Sequence, residues 1–217
     1  GDKKDIAIMK VIQKYIVSSK KILFEGDGYS EAWHKEAEKR GLSNFKTTPV
    51  ALDAMVSDKS KQLFKDNGIY THSELEARHE IELEKYIKKV QIEARLMGDL
   101  ATNHIIPASI KYQNVLLKNV SLLREAALPE NLYKGQLTLL KEVSTHIQEV
   151  YDNVHEMVEA RKVANNIDDT RAKAIAYESN VKAKYFDKIR YHVDKLEELV
   201  DDELWTLPKY RELLFLR

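Results

Sequence analysis

The stretch that decides the fold is residues 71–127, which read THSELEARHEIELEKYIKKVQIEARLMGDLATNHIIPASIKYQNVLLKNVSLLREAA. Apolar residues recur along this stretch at alternating steps of four and three. They are Leu83, Ile87, Val90, Ala94, Met97 and Ala101, and then Tyr112, Leu116, Val120 and Leu123. Such spacing lines one face of a helix that packs on partner helices. A helix through the whole stretch would be about 80 Å long, at ~1.5 Å per residue.

The start and the middle of this helix carry local signals. Ser/Thr-x-x-Glu patterns at residues 71–74 and 73–76 are overlapping candidates for the capping box that begins a helix. Pro107 lacks a backbone N–H and crowds the carbonyl of Asn103. Because the apolar spacing continues on both sides of the proline, we expect a kink at Pro107 and not the end of the helix.

Two more long helices are predicted after the first. One runs from Gly135 to about Asn165 and the other from about Thr170 to Leu204, with short turns at residues 128–131 and 165–169. Their apolar seams are Leu137, Leu140, Ile147, Val150, Val154 and Met157, and Ile175, Phe186, Ile189, Val193, Leu196 and Val200. Short turns make neighbouring helices antiparallel. The prediction is therefore an all-α fold, an antiparallel up-down-up bundle of three long helices that is preceded by several short helices.

The first short helix is predicted over residues 5–17. It places an apolar set on one face, namely Ile6, Met9, Ile12 and Ile16. Residues 21–24 are interpreted as a short extended piece. Ser30 is then expected to cap a helix over residues 31–40 that Gly41 closes in the left-handed conformation.

Two further short helices are predicted before residue 71. Thr48 followed by Pro49 is typical of an N-cap and a first helical position. Ser57 or Asp58 begins the second of these helices, which ends at residues 67–68, Asn-Gly. We divide the chain into a joining segment over residues 1–70, the bundle over 71–204 and an apolar tail over 205–217, which we expect to dock.

Composition excludes several classes of function. Lys and Arg number 35, and so do Asp and Glu, so no net charge directs the chain to nucleic acid or to a membrane surface. Cysteine is absent, which rules out disulfides, thiolate catalysis and cysteine-ligated metals in this sequence. No apolar run approaches the ~20 residues of a membrane span. We expect no nucleic-acid or membrane partner and a cytoplasmic location.

Two carboxylate–histidine pairs are candidate metal ligands. Glu76-x-x-His79 and Asp152-x-x-His155 each place a carboxylate and an imidazole on one helix face. Di-iron bundles use two Glu-x-x-His pairs with two further Glu residues. Here one pair begins with Asp and the further Glu residues are not evident. Solvated charge pairs are the favoured interpretation, and a metal-binding bundle stays an alternative.

Two other sites invite a functional interpretation. His104 falls on the apolar seam near Pro107, where a buried and hydrogen-bonded histidine is favoured over a functional one. Asn103 and Asn114 lie near the same level and are expected to join a polar network there. Residues 26–28, Gly-Asp-Gly, have the composition of a phosphate loop but lack the length and the Lys-Ser/Thr of a P-loop, so a tight turn is favoured.

Three stretches carry a resemblance to a known family. They are KILFEGDGYSEAWHKEAEKRGLSNFKTT at residues 21–48, ELEARHEIELEKYIKKVQIEARLMGDLATNHIIPASIKYQN at 74–114 and LWTLPKYRELLF at 204–215. In this order they resemble the C-terminal region of type III glutamine synthetase, the long-subunit bacterial form. The segments LFEGDGYSEAW and GDLATNHIIPASIKYQN are the most distinctive.

The resemblance implies a parent enzyme that makes glutamine from glutamate and ammonia with ATP and Mg²⁺ or Mn²⁺, in a double ring of identical subunits. The family's NGSG-type glycine run and N-P-[ST]-type loop do not occur in this chain. The catalytic β-barrel region is therefore expected upstream. No catalytic, cofactor-binding or metal-binding residue is assigned to this chain, which alone is expected to be inactive.

The leading hypothesis is that the bundle braces the upstream catalytic domain or forms contacts between subunits or rings. The alternatives are that residues 26–28 or the Pro107 region complete a composite active or regulatory site, or that the chain is an independent metal-binding bundle. We expect the partners to be the upstream domain and other subunits of the ring.

Overall fold

The computed structural model describes residues 3–215 (for Lys21 only the backbone), and every regular element in them is helical. The chain divides into two compact units, Gly1–Lys46 and Thr47–Arg217. The larger unit therefore begins well before the bundle boundary that we predicted at residue 71. None of the described helices is long and apolar enough to cross a membrane.

The smaller unit contains helices α1, Lys4–Ser18, and α2, Glu31–Lys39. The extended piece predicted at residues 21–24 is instead a 3-10 turn over Lys20–Ile22. Its i to i+3 hydrogen bonds run from Ile22 N–H to the Ser19 carbonyl and from Leu23 N–H to the Lys20 carbonyl. Leu23, which follows the turn, is extended.

Helix α2 has the two ends that the sequence predicts. The Ser30 hydroxyl accepts a hydrogen bond from Trp33 N–H at 3.3 Å. Gly41 has φ 74°, and Leu42 N–H reaches back to the Ala37 carbonyl at 2.9 Å. This is the Schellman closure, in which a left-handed glycine lets the chain satisfy the last carbonyls of the helix.

The larger unit opens with two short helices, α3 at Thr48–Leu52 and α4 at Asp58–Asp66, with a 3-10 turn at Asp53–Val56 between them. The N-cap of α3 is Thr47 and not Thr48 as predicted, because the Thr47 carbonyl accepts the first helical bond. Ser57 caps α4 by accepting a hydrogen bond from Ser60 N–H.

The first long helix consists of α5, His72–Leu100, a π-helical turn at Ala101–Ile105, and α6, Ile106–Glu125. The irregularity that we expected at Pro107 thus lies in the turn before it. A π turn shifts the hydrogen-bond register by one residue, and Pro107 falls in the first turn of α6, where a missing N–H is tolerated. Buried Ser109 donates its hydroxyl to the Ile105 carbonyl at 2.7 Å.

The second long helix is α7, Lys134–Asn165, within one residue of the prediction, after a 3-10 turn at Glu130–Leu132. The third comprises α8, Thr170–Ala176, a π-helical segment at Tyr177–Phe186, and α9, Asp187–Leu199.

The third long helix ends five residues before the predicted Leu204. Val200 is extended, with ψ 139°. The buried ammonium of Lys209 donates to the Val200 carbonyl at 2.7 Å and lies 2.7 Å from the Asp202 carboxylate. The returning chain therefore supplies a hydrogen bond just beyond the end of α9, where cations are favoured.

Side-chain hydrogen bonds give the relative directions of the first and second long helices. Gln113 of α6 donates to Ser144 of α7 at 2.7 Å, and Asn119 of α6 donates to Gln136 of α7 at 3.0 Å. As the residue number in α6 rises, the residue number of the partner in α7 falls. These two helices are therefore antiparallel.

The first and third long helices run in the same direction. Thr170 of α8 donates to Glu80 of α5 at 3.4 Å, and Tyr86 donates to Glu178, which follows α8. Here the residue numbers in the first and third long helices rise together. The order of pairing is that of an up-down-up bundle.

The core of the larger unit is continuous along the three long helices. Its least exposed side chains include Leu83, Val90, Val143, Val150, Met157, Tyr177, Val181, Ile189 and Leu196. Just over half of the predicted seam positions belong to it. Others are partly buried and pack against it, namely Met97, Tyr112, Leu140, Ile147, Phe186 and Val193. Leu123, Leu137 and Ile175 are also only partly buried.

The tail docks through its first half. Trp205 and Lys209 are buried, and Leu207 packs against the core cluster. The helix that follows, α10 at Tyr210–Leu214, leaves Leu213, Leu214 and Phe215 exposed. The last two residues of the predicted tail, at 216 and 217, lie outside the described residues.

Candidate functional site

Residues 26–28 form a turn that leads into α2. Asp27 accepts hydrogen bonds from Tyr29 N–H on its carboxylate and from the Ser30 hydroxyl on its carbonyl, at 2.9 and 2.7 Å. A Cβ at Gly26 would lie 2.7 Å from the ring of Phe24. A side chain at Gly26 would therefore have to displace the Phe24 ring, which packs on Trp33 with ring centroids 4.6 Å apart.

The polar network predicted around His104 is not formed. His104 is partly buried, and its imidazole has no hydrogen bond to another described residue. Asn103 instead donates to the Asp99 carboxylate at 2.6 Å, and Asn114 is exposed. Within the π turn, Thr102 donates to the Gly98 carbonyl at 2.8 Å.

The first carboxylate–histidine pair separates onto two different partners. Glu76 accepts a hydrogen bond from the Lys61 ammonium at 2.7 Å, which lowers the pKa of its carboxyl. His79 Nε2 lies 3.4 Å from Asp53 Oδ1. The spacing of three places both side chains on one face of α5. Helix α4 lies beside Glu76, whereas the turn after α3 lies beside His79.

The second pair also stays local. Asp152 accepts both of its hydrogen bonds from Gln148 at 2.9 Å, and the His155 ring stacks on Tyr151. Across the described part of the chain, no group of three or more His, Cys, Asp or Glu side chains is arranged to hold a metal ion.

Asp53 is the centre of an ion cluster that the sequence pattern did not indicate. Arg171 of α8 contacts both of its carboxylate oxygens, with Nε 2.8 Å from Oδ1 and Nη2 2.6 Å from Oδ2. These hydrogen bonds lower the pKa of Asp53. The cluster joins α5 and α8 to the turn after α3, across a separation of 118 residues that gives no local signal.

A second polar cluster surrounds Tyr177, whose side chain is fully buried. Its hydroxyl donates to the Asn165 side-chain oxygen at 2.5 Å, and the Gln91 amide donates to both groups at 2.9 Å. The buried hydroxyl is therefore satisfied as donor and acceptor. This network joins all three long helices where the second π segment begins.

His146 and His192 form a third cluster, between α7 and α9. Their Nδ1 atoms are 2.9 Å apart, so one imidazole donates and the other accepts. Glu149 lies 3.9 Å from His192 Nε2. Burial, and then the charge of His192, lower the pKa of His146. The contact is complete only while at least one of the two Nδ1 atoms lacks a proton.

An apolar groove of about 410 Å³ lies between the end of α5 and the middle of α9. Its apolar lining includes Leu96, Met97, Leu100, Phe186, Ile189 and Val193. Three carboxylates, those of Glu93, Asp194 and Glu197, lie along it with the single cation of Arg190. Both π segments contribute, the first through Ile105 and the second through Phe186.

Helix α1 presents an unusual amount of apolar surface. None of its residues is buried, and its large apolar side chains are between 46% exposed at Ile8 and 68% exposed at Met9. A helix that is apolar over much of its circumference is normally covered by other protein. The sequence prediction of one apolar face underestimated this surface, because Ile8, Val11 and Tyr15 extend it.

Comparison with known proteins gives one family and several relatives. A sequence model of the glutamine synthetase C-terminal domain matches residues 7–124, just over half of the chain. The chain is 45% identical to a glutamine synthetase of Bacteroides fragilis over 99% of its length, and 30% identical to one of Butyrivibrio fibrisolvens, also over 99%.

A protein of Dictyostelium discoideum named type-3 glutamine synthetase is 31% identical over 97% of the chain. In each case the chain spans only about 30% of the length of the curated relative that it matches.

Proposed function

Because the chain belongs to the glutamine synthetase C-terminal domain family, we propose that it braces a longer glutamine synthetase, holding the upstream part of that enzyme or joining its subunits. In the parent enzyme, the upstream part binds ATP and Mg²⁺ or Mn²⁺ and ligates ammonia to glutamate. The 217-residue chain contributes support and contact surface, not reacting groups. A cytoplasmic location and assembly into a homo-oligomeric ring are parts of the same proposal.

The exposed apolar surface of α1 is the observation that carries the bracing role. Eight large apolar side chains of this single helix are about half exposed or more. Covering them removes apolar area from water, which favours association at about 25 cal/mol per Å². The polar clusters of the larger unit support the same role. They bond side chains of this chain to one another, and none of them presents the convergent donors of a reaction site.

Truncation of the parent enzyme tests the bracing role. An enzyme that ends after about Ile69 should lose its native oligomer size and its glutamine-forming activity together. A second test uses a full-length enzyme that carries Ile12→Asp and Ile16→Asp, both at exposed positions of α1. This variant should also change in oligomer size and in activity. Size-exclusion chromatography with light scattering and a glutamine-formation assay are the measurements. Unchanged size and turnover in both enzymes would defeat the proposal.

A further inference from the structure

We propose that the apolar groove between α5 and α9 of one copy of this chain binds helix α1 of a second copy. The inference rests on the proposed bracing function and specifies one of its subunit contacts. Both complementary surfaces belong to the same chain, so any two copies supply both halves of the contact.

The groove has the form that receives a helix. Its walls are the end of α5 and the middle of α9, which belong to long helices that run in the same direction, and its lining is mostly apolar. Leu96 on one wall is 54% exposed, so part of this apolar surface faces solvent. From Glu93 to Ile105 the wall formed by the first long helix is about 18 Å long, at ~1.5 Å per residue.

Helix α1 matches the groove in length and pattern. Its 15 residues extend about 22 Å. Ile6, Met9, Ile12 and Ile16 share one face, which is the periodic set of anchors with which amphipathic helices enter apolar grooves. Since none of these side chains is buried, all of them are available to a partner.

Charge complementarity supports α1 as the helix that occupies the groove. The helix carries three lysines, Lys4, Lys10 and Lys14, against one aspartate, Asp5. The groove presents three carboxylates and one arginine, and because Asp194 pairs with that arginine at 2.6 Å, Glu93 and Glu197 leave a net negative charge along it. A cationic helix beside an acidic groove associates faster and in the correct orientation.

The test measures self-association of the 217-residue chain by sedimentation across a range of concentrations. The unmodified chain should associate reversibly. Leu96→Glu in the groove and Ile16→Glu in α1 should each weaken association about tenfold or more, as truncation of a central anchor does. The matched control is Ile92→Glu. Ile92 is a 65% exposed residue of the same helix that does not line the groove, and its substitution should leave association unchanged.

A charge exchange gives a second, independent measurement. Glu93→Lys alone, or Lys10→Glu with Lys14→Glu alone, should weaken association at low salt. The chain that carries all three substitutions should recover part of it. A monomer at every concentration, equal effects of Leu96→Glu and Ile92→Glu, or no recovery in the exchanged chain would overturn the inference.

Failure of this inference is distinguishable from failure of the bracing role. If the truncated parent enzyme loses its oligomer while Leu96→Glu and Ile92→Glu behave alike, the bracing role stands and the groove is not its contact. If the truncated enzyme and the full-length Ile12→Asp, Ile16→Asp variant both assemble and turn over normally, the bracing role itself fails.

Discussion

Leu196 is a residue at which burial alone sets the expected cost of a substitution. It is fully buried in α9, within the continuous core of the larger unit. Leu196→Ala should lower the free energy of unfolding by roughly 2–5 kcal/mol, because the change removes buried methyl groups and leaves a cavity. Leu116→Ala in α6, where the leucine is 8% exposed, should fall at the lower end of this range. Urea denaturation followed by circular dichroism is the measurement.

The matched control for these substitutions is Ile92→Ala. Ile92 belongs to the same long helix as Leu116 but is mostly exposed, so its loss should cost little. An equal cost for Ile92 and Leu196 would contradict the assignment of the apolar seam.

His146 makes the stability of the bundle depend on pH. Burial and the charge of His192 hold the pKa of His146 below its ordinary value of 6.5, against the opposing charges of Glu142 and Glu149. The unfolded chain therefore takes up this proton at a higher pH than the folded chain does. The contribution of His146 is fully present above pH 6.5 and is lost as the pH falls below that value.

Denaturation at a series of pH values tests this dependence. One proton limits the slope to about 1.4 kcal/mol per pH unit. His146→Gln should flatten the loss of stability below pH 6.5 relative to the unmodified chain. His155→Gln, on the same helix but exposed, should retain it. Parallel curves for the unmodified chain and His146→Gln would show that this imidazole does not titrate differently on folding.

At the scale of the element, Thr71 decides where the first long helix begins. Its side chain accepts a hydrogen bond from Glu74 N–H at 3.3 Å, and the Glu74 carboxylate accepts one from Thr71 N–H at 2.8 Å. Thr71→Ala should destabilise the chain by about 1 kcal/mol, because it leaves a helix N–H without its acceptor. The rate of hydrogen exchange at the first turn of α5 should also rise in the Thr71→Ala chain.

Ser73→Ala separates the two overlapping capping signals. Ser73 lies in the first turn of α5, between Thr71 and Glu74, the two residues that form the capping box. Since alanine favours a helix interior, this substitution should be neutral or slightly stabilising. A larger loss at Ser73 than at Thr71 would show that the helix begins two residues later.

The short-range signals of the sequence were sufficient for most helix ends. Ser30, Gly41 and Ser57 act where the pattern placed them, since each role depends on the backbone within three or four residues. The π segments carried no such signal. Through the second one and into the start of α9, the buried residues Tyr177, Val181, Tyr185 and Ile189 recur at steps of four only. Because a regular seam alternates steps of three and four, the seam predicted for the third long helix omitted both tyrosines.

The polar clusters of the candidate sites, by contrast, could not be predicted from short-range sequence signals. Asp53, Arg171 and His79 come from three elements, and so do Gln91, Asn165 and Tyr177. Their meeting depends on how the helices pack, which spacing along one helix does not contain. The same reason explains why Glu76 and His79 share a face and yet bind different partners.

For the whole molecule, the sequence and the structure place the start of the larger unit at different residues. The sequence predicted several short helices before residue 71 and a long helix from there on, so the boundary was placed at residue 71. The structure begins the larger unit at Thr47, because α3, the turn after it and α4 all pack on α5. Pro49 is fully buried, and Leu52 packs against the core of the bundle. Short helices can thus belong to a bundle without sharing its length.

Two truncated chains decide between these boundaries. A chain of residues 47–217 should unfold with nearly the free energy of the intact bundle. A chain of residues 71–217 should lose at least about 3 kcal/mol, because it removes the buried Pro49 and the partly buried Leu52, which packs against the core. It also leaves Arg171 without Asp53, its bidentate partner. Thermal and urea denaturation of both chains, with hydrogen exchange along α5 and α8, are the measurements.

The distribution of the loss within the shorter chain is the most informative part of this experiment. Exchange should rise first in α8 and in the first half of α5, where α3 packs, and least in α6. The single substitution Asp53→Asn in the 47–217 chain should reproduce part of that pattern without removing any apolar surface. Equal stability of the two truncated chains would mean that α3 and α4 rest on the bundle without supporting it, and the boundary at residue 71 would then describe the folding unit.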